Sequence, residues 1–125
     1  MPISSDAAVN KDVRARRGQA FSITQKLYPS AAAAKAGTPH VDLTGLTAVV
    51  KCRSLGVNPI TYVFTATIPS PATDGNVTYS ASQSDMADAT IVPDYSDIEI
   101  WVTGTNANRP LQVGRFMVSD SFINP

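Results

Sequence analysis

The sequence holds one cysteine, one histidine and one tryptophan in 125 residues. A lone Cys52 excludes an intrachain disulfide and a cysteine-built zinc site within one chain. A lone His40 excludes a metal-binding histidine pair. Charge is also scarce: 16% of residues are charged, against about 25% in an ordinary domain. The 10 basic residues offset the 10 acidic ones. The strong basic excess of a domain held on nucleic acid is missing, so nucleic acid is not expected as a partner. A small domain near zero net charge also lacks self-repulsion, and a homo-oligomer is expected. No apolar run approaches the roughly 20 residues that a helix needs to span a bilayer, so no membrane partner is expected. Met1 to Asp6 lack the charged-then-apolar pattern of a signal peptide, which points to synthesis in a cytoplasm. There is no phosphate-cradling glycine loop and no Gly-x-Ser-x-Gly elbow. The expectation is a non-enzymatic protein without cofactor or metal.

What is present is alternation. Leu46, Ala48, Val50 and Cys52 share one face of a candidate strand, with Thr47, Val49, Lys51 and Arg53 on the other. Ile60 to Ile68 alternates cleanly, and Val77, Tyr79 and Ala81 form a shorter run. Ile98, Ile100 and Val102 face one way, and Asp97, Glu99, Trp101 and Thr103 the other. In the last strand Phe116 and Val118 are taken as buried, because the opposite face carries Arg115. Phe21, Ile23 and Leu27 open the series, interrupted by the polar Gln25. Turns fall at Asp42-Leu43-Thr44-Gly45, Gly56 to Pro59 and Pro69 to Gly75. Ser30 to Lys35 is expected as a loop or one helical turn, and Ser84-Asp85 as the cap of a short turn over Met86 to Ala89. Six or seven short strands with frequent turns predict an all-β, antiparallel β-sandwich over residues 18–125.

Residues 1–17 read as an extended basic arm. Lys11, Arg14, Arg16 and Arg17 cluster there against Asp12 alone, with no helical stripe. Two readings stay open: a solvated tail, or an arm that orders on a neighbouring subunit through charge-assisted bonds from Arg14, Arg16 and Arg17. Trp101 is the second partner-binding candidate, because the alternation that buries its neighbours turns it outward. It serves either as an interface anchor or as packing under a loop or the arm, and a sugar platform is a further option. His40 and Cys52 could meet only in three dimensions, and Cys52 on an apolar face reads as core packing. Asp94, Asp97 and Glu99 complete no calcium loop and read as a solvated acidic face.

Arg17-Gly18-Gln19-Ala20-Phe21, Val41 to Thr47 leading into Val49 to Arg53, and Asp97-Ile98-Glu99 together resemble a family. They look like the Ig-like β-sandwich domains of tailed-phage virion proteins, such as the N-terminal domains of baseplate upper proteins. The likeness covers roughly residues 16–118. It implies an Ig-like sandwich of about seven strands, made in the host cytoplasm and located in the virion. It implies a structural role as capsid decoration, neck or tail component, docked on larger virion subunits through arm, edge strands and loops. A baseplate upper protein continues into a receptor-binding region; a chain ending at Pro125 is expected to be a small stand-alone virion protein. The alternative function is a carbohydrate-binding module using Trp101, Tyr95, Tyr28 and Tyr62, at least two of them clustered on one exposed face.

Overall fold

A computed structural model describes residues 9–104 and 109–119. The chain is mostly β, with two sheets and few helices. The strands are β1 (Val9–Asn10), β2 (Val13–Arg16), β3 (Phe21–Lys26), β4 (Thr47–Ser54), β5 (Thr61–Val63), β6 (Thr65–Thr67), β7 (Asn76–Ala81), β8 (Tyr95–Thr103) and β9 (Arg109–Ser119). The larger sheet runs β1-β9-β8-β4-β5, with β2 also on β9; the smaller runs β3-β7-β6.

Alternation becomes burial as expected in β7, where Val77, Tyr79 and Ala81 point inward, and in β8, where Ile98, Ile100 and Val102 do. Phe116 and Val118 are the buried side of β9. The inner faces meet at an aromatic cluster. Phe21 of β3 lies 5.5 Å from Phe116 of β9, and Phe64 lies 5.3 Å from Phe116 and 5.4 Å from Tyr79. Edge-on contacts at this spacing add to the area term of each ring.

The run Ile60 to Ile68, which alternates as one strand, divides at Phe64. Thr61–Val63 pairs with β4 in the larger sheet, and Thr65–Thr67 pairs with β7 in the smaller. The crossing residue donates its N–H to the Val50 carbonyl at 2.9 Å, and its ring fills the core between the sheets.

Residues 9–16, expected within a separate arm, are edge strands of the larger sheet. Both β1 and β2 run parallel to β9. Val13 sits beside Phe116 and is buried, while Arg14 sits beside Met117 and is exposed. Lys11 and Asp12 step past Gly114, and a Cβ there would meet the Lys11 carbonyl at 2.0 Å. The basic composition hid this strand because only one of its two faces is covered.

Among the described residues the two α-helices are short. α1 (Ala31–Ala36) is the single turn that Ser30 to Lys35 predicts, capped by Ser30 and closed by Gly37 in the left-handed region. α2 (Gln83–Met86) starts earlier than Met86 to Ala89, because Ser82, not Ser84-Asp85, caps it: the Ser82 hydroxyl accepts from the Asp85 N–H.

Gln25, read as a break in the apolar face of β3, points into the core. Its Oε1 accepts from the Tyr79 hydroxyl at 2.9 Å and from Gln112 Nε2 at 2.7 Å. Gln112 belongs to β9, so this bond joins the two sheets. Both glutamines are buried. A bulge in β9 aims Gln112 inward. Ile100 pairs with Gln112 but Trp101 with Pro110, which leaves Leu111 as the extra residue. Leu111 and Gln112 therefore both face the core.

Candidate functional site

The outer face of the larger sheet carries most of what the sequence singled out. On β8, Tyr95, Asp97, Glu99 and Trp101 are all exposed and all point outward. Across the ladder to β4, Val49 stands opposite Trp101, Lys51 opposite Glu99 and Arg53 opposite Asp97. On the other side, Val113 stands beside Glu99 and Arg115 beside Asp97.

Trp101 is 37% exposed, as the alternation predicts. Its indole N–H donates to Glu99 Oε1 at 2.5 Å, which fixes the ring along the sheet. It forms one wall of an open cleft of about 670 Å³, with Leu55, Pro59, Lys51, Arg53 and Glu99 among the other walls. Leu55 and Val57 on the β4–β5 turn are 55% and 95% exposed, and Val63 on β5 is 55% exposed. Apolar surface thus borders a charged centre.

At the opposite end of β8 the Arg115 guanidinium lies 5.5 Å over the Tyr95 ring and pairs with Asp97 at 3.3 Å. Arg14 and Arg16 are exposed on β2 at this end, because Arg14 shares Met117 with Tyr95 as a neighbour in register. Six strand residues, about 20 Å, separate this end from Trp101. Arg14, Arg16 and Trp101 share one sheet, then, but do not form one cluster.

Arg17 is placed differently from Arg14 and Arg16. Its side chain turns into the body and donates to the carbonyls of Met86 at 2.8 Å and Val92 at 2.9 Å, with an ion pair to Asp94. With these bonds made inside its own chain and its side chain 15% exposed, Arg17 holds the 86–94 segment instead of reaching outward.

The other candidates are dispersed. His40 is exposed, with Nε2 2.8 Å from the Thr73 carbonyl. Cys52 is fully buried, and that burial pushes its thiol pKa up, partly offset by the neighbouring Ser96 hydroxyl. Tyr62 is half-buried; burial and the Asp85 carboxylate that accepts its hydroxyl proton at 2.6 Å both push its pKa up. Among the described residues, no group of three or more His, Cys, Asp and Glu is arranged to hold a metal ion, and no helix is long and apolar enough to cross a membrane. No protein-family model matches the chain, and no curated protein matches its sequence.

The cleft residues Leu55 and Pro59 were missed by sequence reasoning. They lie on a turn, and strand alternation assigns faces but not which turn folds over which face.

Proposed function

We propose that this chain is an Ig-like β-sandwich that works by docking, as a structural component of a tailed-phage virion. The outer face of the larger sheet carries the proposal. Trp101 is held outward on it, and the exposed Arg14 and Arg16 share that face at the opposite end. The strand order supports the fold part. The order β9-β8-β4-β5 on one side and β3-β7-β6 on the other parallels the GFCC′ and BED order of immunoglobulin-type sandwiches. The family that the Arg17-Gly18, Asp42 to Gly45 and Asp97 to Glu99 motifs resemble supplies the virion part. In that role edge strands and outward aromatic and arginine side chains provide affinity for larger subunits.

The glycan-binding alternative has less support. Tyr95 and Trp101 share a face but stand about 20 Å apart along β8, Tyr62 is tied to Asp85, and Tyr28 is half-buried.

The test is composition and assembly of particles. Mass spectrometry of purified virions from a phage that encodes this chain is expected to find it at a fixed copy number. Arg14→Glu with Trp101→Ala is expected to reduce its incorporation while the purified variant stays folded. Particles that form without any of the chain would overturn the reading.

A further inference from the structure

The register of the larger sheet makes its outer face complementary to itself. One row across the strands reads Val63, Lys51, Glu99, Val113. The next reads Thr61, Arg53, Asp97, Arg115. On the other side of the first row Val49 stands opposite Trp101. Cations lie on β4 and carboxylates beside them on β8. We propose that this face docks on the same face of a second copy of the chain, about a two-fold axis parallel to the strands and midway between β4 and β8.

Such an axis exchanges left and right within each row and leaves position along the strands unchanged. It sets Lys51 of one copy over Glu99 of the other and Arg53 over Asp97, each twice. It brings Val63 over Val113 and Trp101 over Val49. A two-fold axis across the strands would instead set β4 on β4 and β8 on β8, opposing like charges. The complementarity therefore selects one geometry.

The side chains are in a state to make these contacts. Neither Lys51 nor Arg53 has an ion-pair partner among the described residues. Asp97 holds Arg115 through Oδ1 and Glu99 holds Trp101 through Oε1, which leaves the second oxygen of each carboxylate to accept. Val63 and Trp101 supply exposed apolar surface at the two flanks. The four matched strands, about 4.8 Å apart, and a nine-residue strand rising about 3.3 Å per residue span roughly 19 by 30 Å. That is less than the ~800 Å² per partner of a standard interface and corresponds to a weak, reversible dimer. A chain of zero formal net charge adds no general repulsion between copies. The proposal rests on the docking reading above and names one of its partners. Arg14, on the edge strand, lies outside the matched rows and stays exposed for a larger subunit.

Sedimentation equilibrium of the full chain tests it. The wild-type protein is expected to form a dimer that weakens with added salt. Lys51→Glu with Arg53→Glu, and separately Asp97→Lys with Glu99→Lys, are each expected to weaken it at least about tenfold, because both oppose like charges. An equimolar mixture of the two variants is expected to regain the dimer, since every reversed charge then meets its complement. Trp101→Ala, which leaves all these charges in place, is expected to weaken association by about tenfold or more with an unchanged circular dichroism spectrum. A monomeric wild-type chain, a dimer indifferent to both reversals, or a mixture that stays monomeric overturns the proposal. A monomer that still enters particles removes the dimer and leaves docking standing; a dimer absent from particles removes only the virion role.

Discussion

The guanidinium of Arg17 reaches the carboxylate of Asp94, 77 residues further along the chain, and also donates to the carbonyls of Met86 and Val92. The two carbonyls matter more than the carboxylate. The Asp94 side chain is 71% exposed, so its ion pair is screened by water. Arg17→Ala is expected to destabilise the fold by about 2–4 kcal/mol in urea unfolding, since it removes the donor to the Val92 carbonyl and leaves the Met86 carbonyl only the longer bond from the Gly18 N–H. Asp94→Ala is expected to cost less than ~1 kcal/mol. Equal losses from the two substitutions would contradict this ranking. Arg17→Lys is expected to recover only part of the loss, because an ammonium lacks the planar fork.

The Gln25, Tyr79 and Gln112 group gives a second expectation. Gln25→Ala removes the acceptor of two buried donors and is expected to cost about 2–4 kcal/mol. Replacing the whole group, Gln25→Leu with Gln112→Leu and Tyr79→Phe, is expected to be far milder than Gln25→Ala, because no polar atom of the group then remains without a partner. Thermal unfolding of the two proteins distinguishes these cases. A triple variant less stable than the single one would show that shape, not hydrogen bonding, governs this part of the core.

Gly114→Ala is expected to loosen one edge of the sheet selectively. The added methyl collides with the Lys11 carbonyl, which is backbone and cannot rotate away. Amide hydrogen exchange is expected to accelerate over residues 9–16, with β4 and β8 unchanged. Uniform acceleration over the whole sheet would argue against the edge-strand account.

Asp42 provides a pH expectation. The Thr44 hydroxyl, and secondarily the Thr44 backbone N–H, hold the Asp42 carboxyl below its ordinary value of 3.8. A carboxyl lowered in the folded state favours folding above that ordinary value. The contribution disappears as pH falls through the folded-state midpoint. Thr44→Val is expected to move the Asp42 midpoint upward in a carboxyl NMR titration; an unmoved midpoint would assign the shift elsewhere. Asp88 with Thr90 repeats the arrangement.

Strand faces were legible where apolar and polar residues alternate against one covered side. That holds for β4, β7 and β8 and for the outward Trp101. Four things were not legible, each because the deciding neighbour is distant in sequence. Val13 is a strand residue only because Phe116 lies beside it, and the charges around it read as a tail. Phe64 alternates with its neighbours whether or not the chain changes sheet. Gln25 looks like a defect until Gln112 and Tyr79 are seen to meet it. Arg17 was grouped with Arg14 and Arg16 for the same reason: nothing local announces that it turns inward to Met86 and Val92.

The parallel pairing of β2 with β9 has a mechanical consequence. Val13–Arg16 and Phe116–Ser119 run side by side in the same direction. Tension applied between Val9 and Ser119 therefore acts along both strands in opposite senses. It loads their hydrogen bonds in shear, together, instead of opening them one after another. The same tension between Tyr95 and Ser119 would unzip the antiparallel β8–β9 ladder from one end. Single-molecule pulling is expected to need more force on the first axis than on the second, which gives this small domain a preferred direction for transmitting strain.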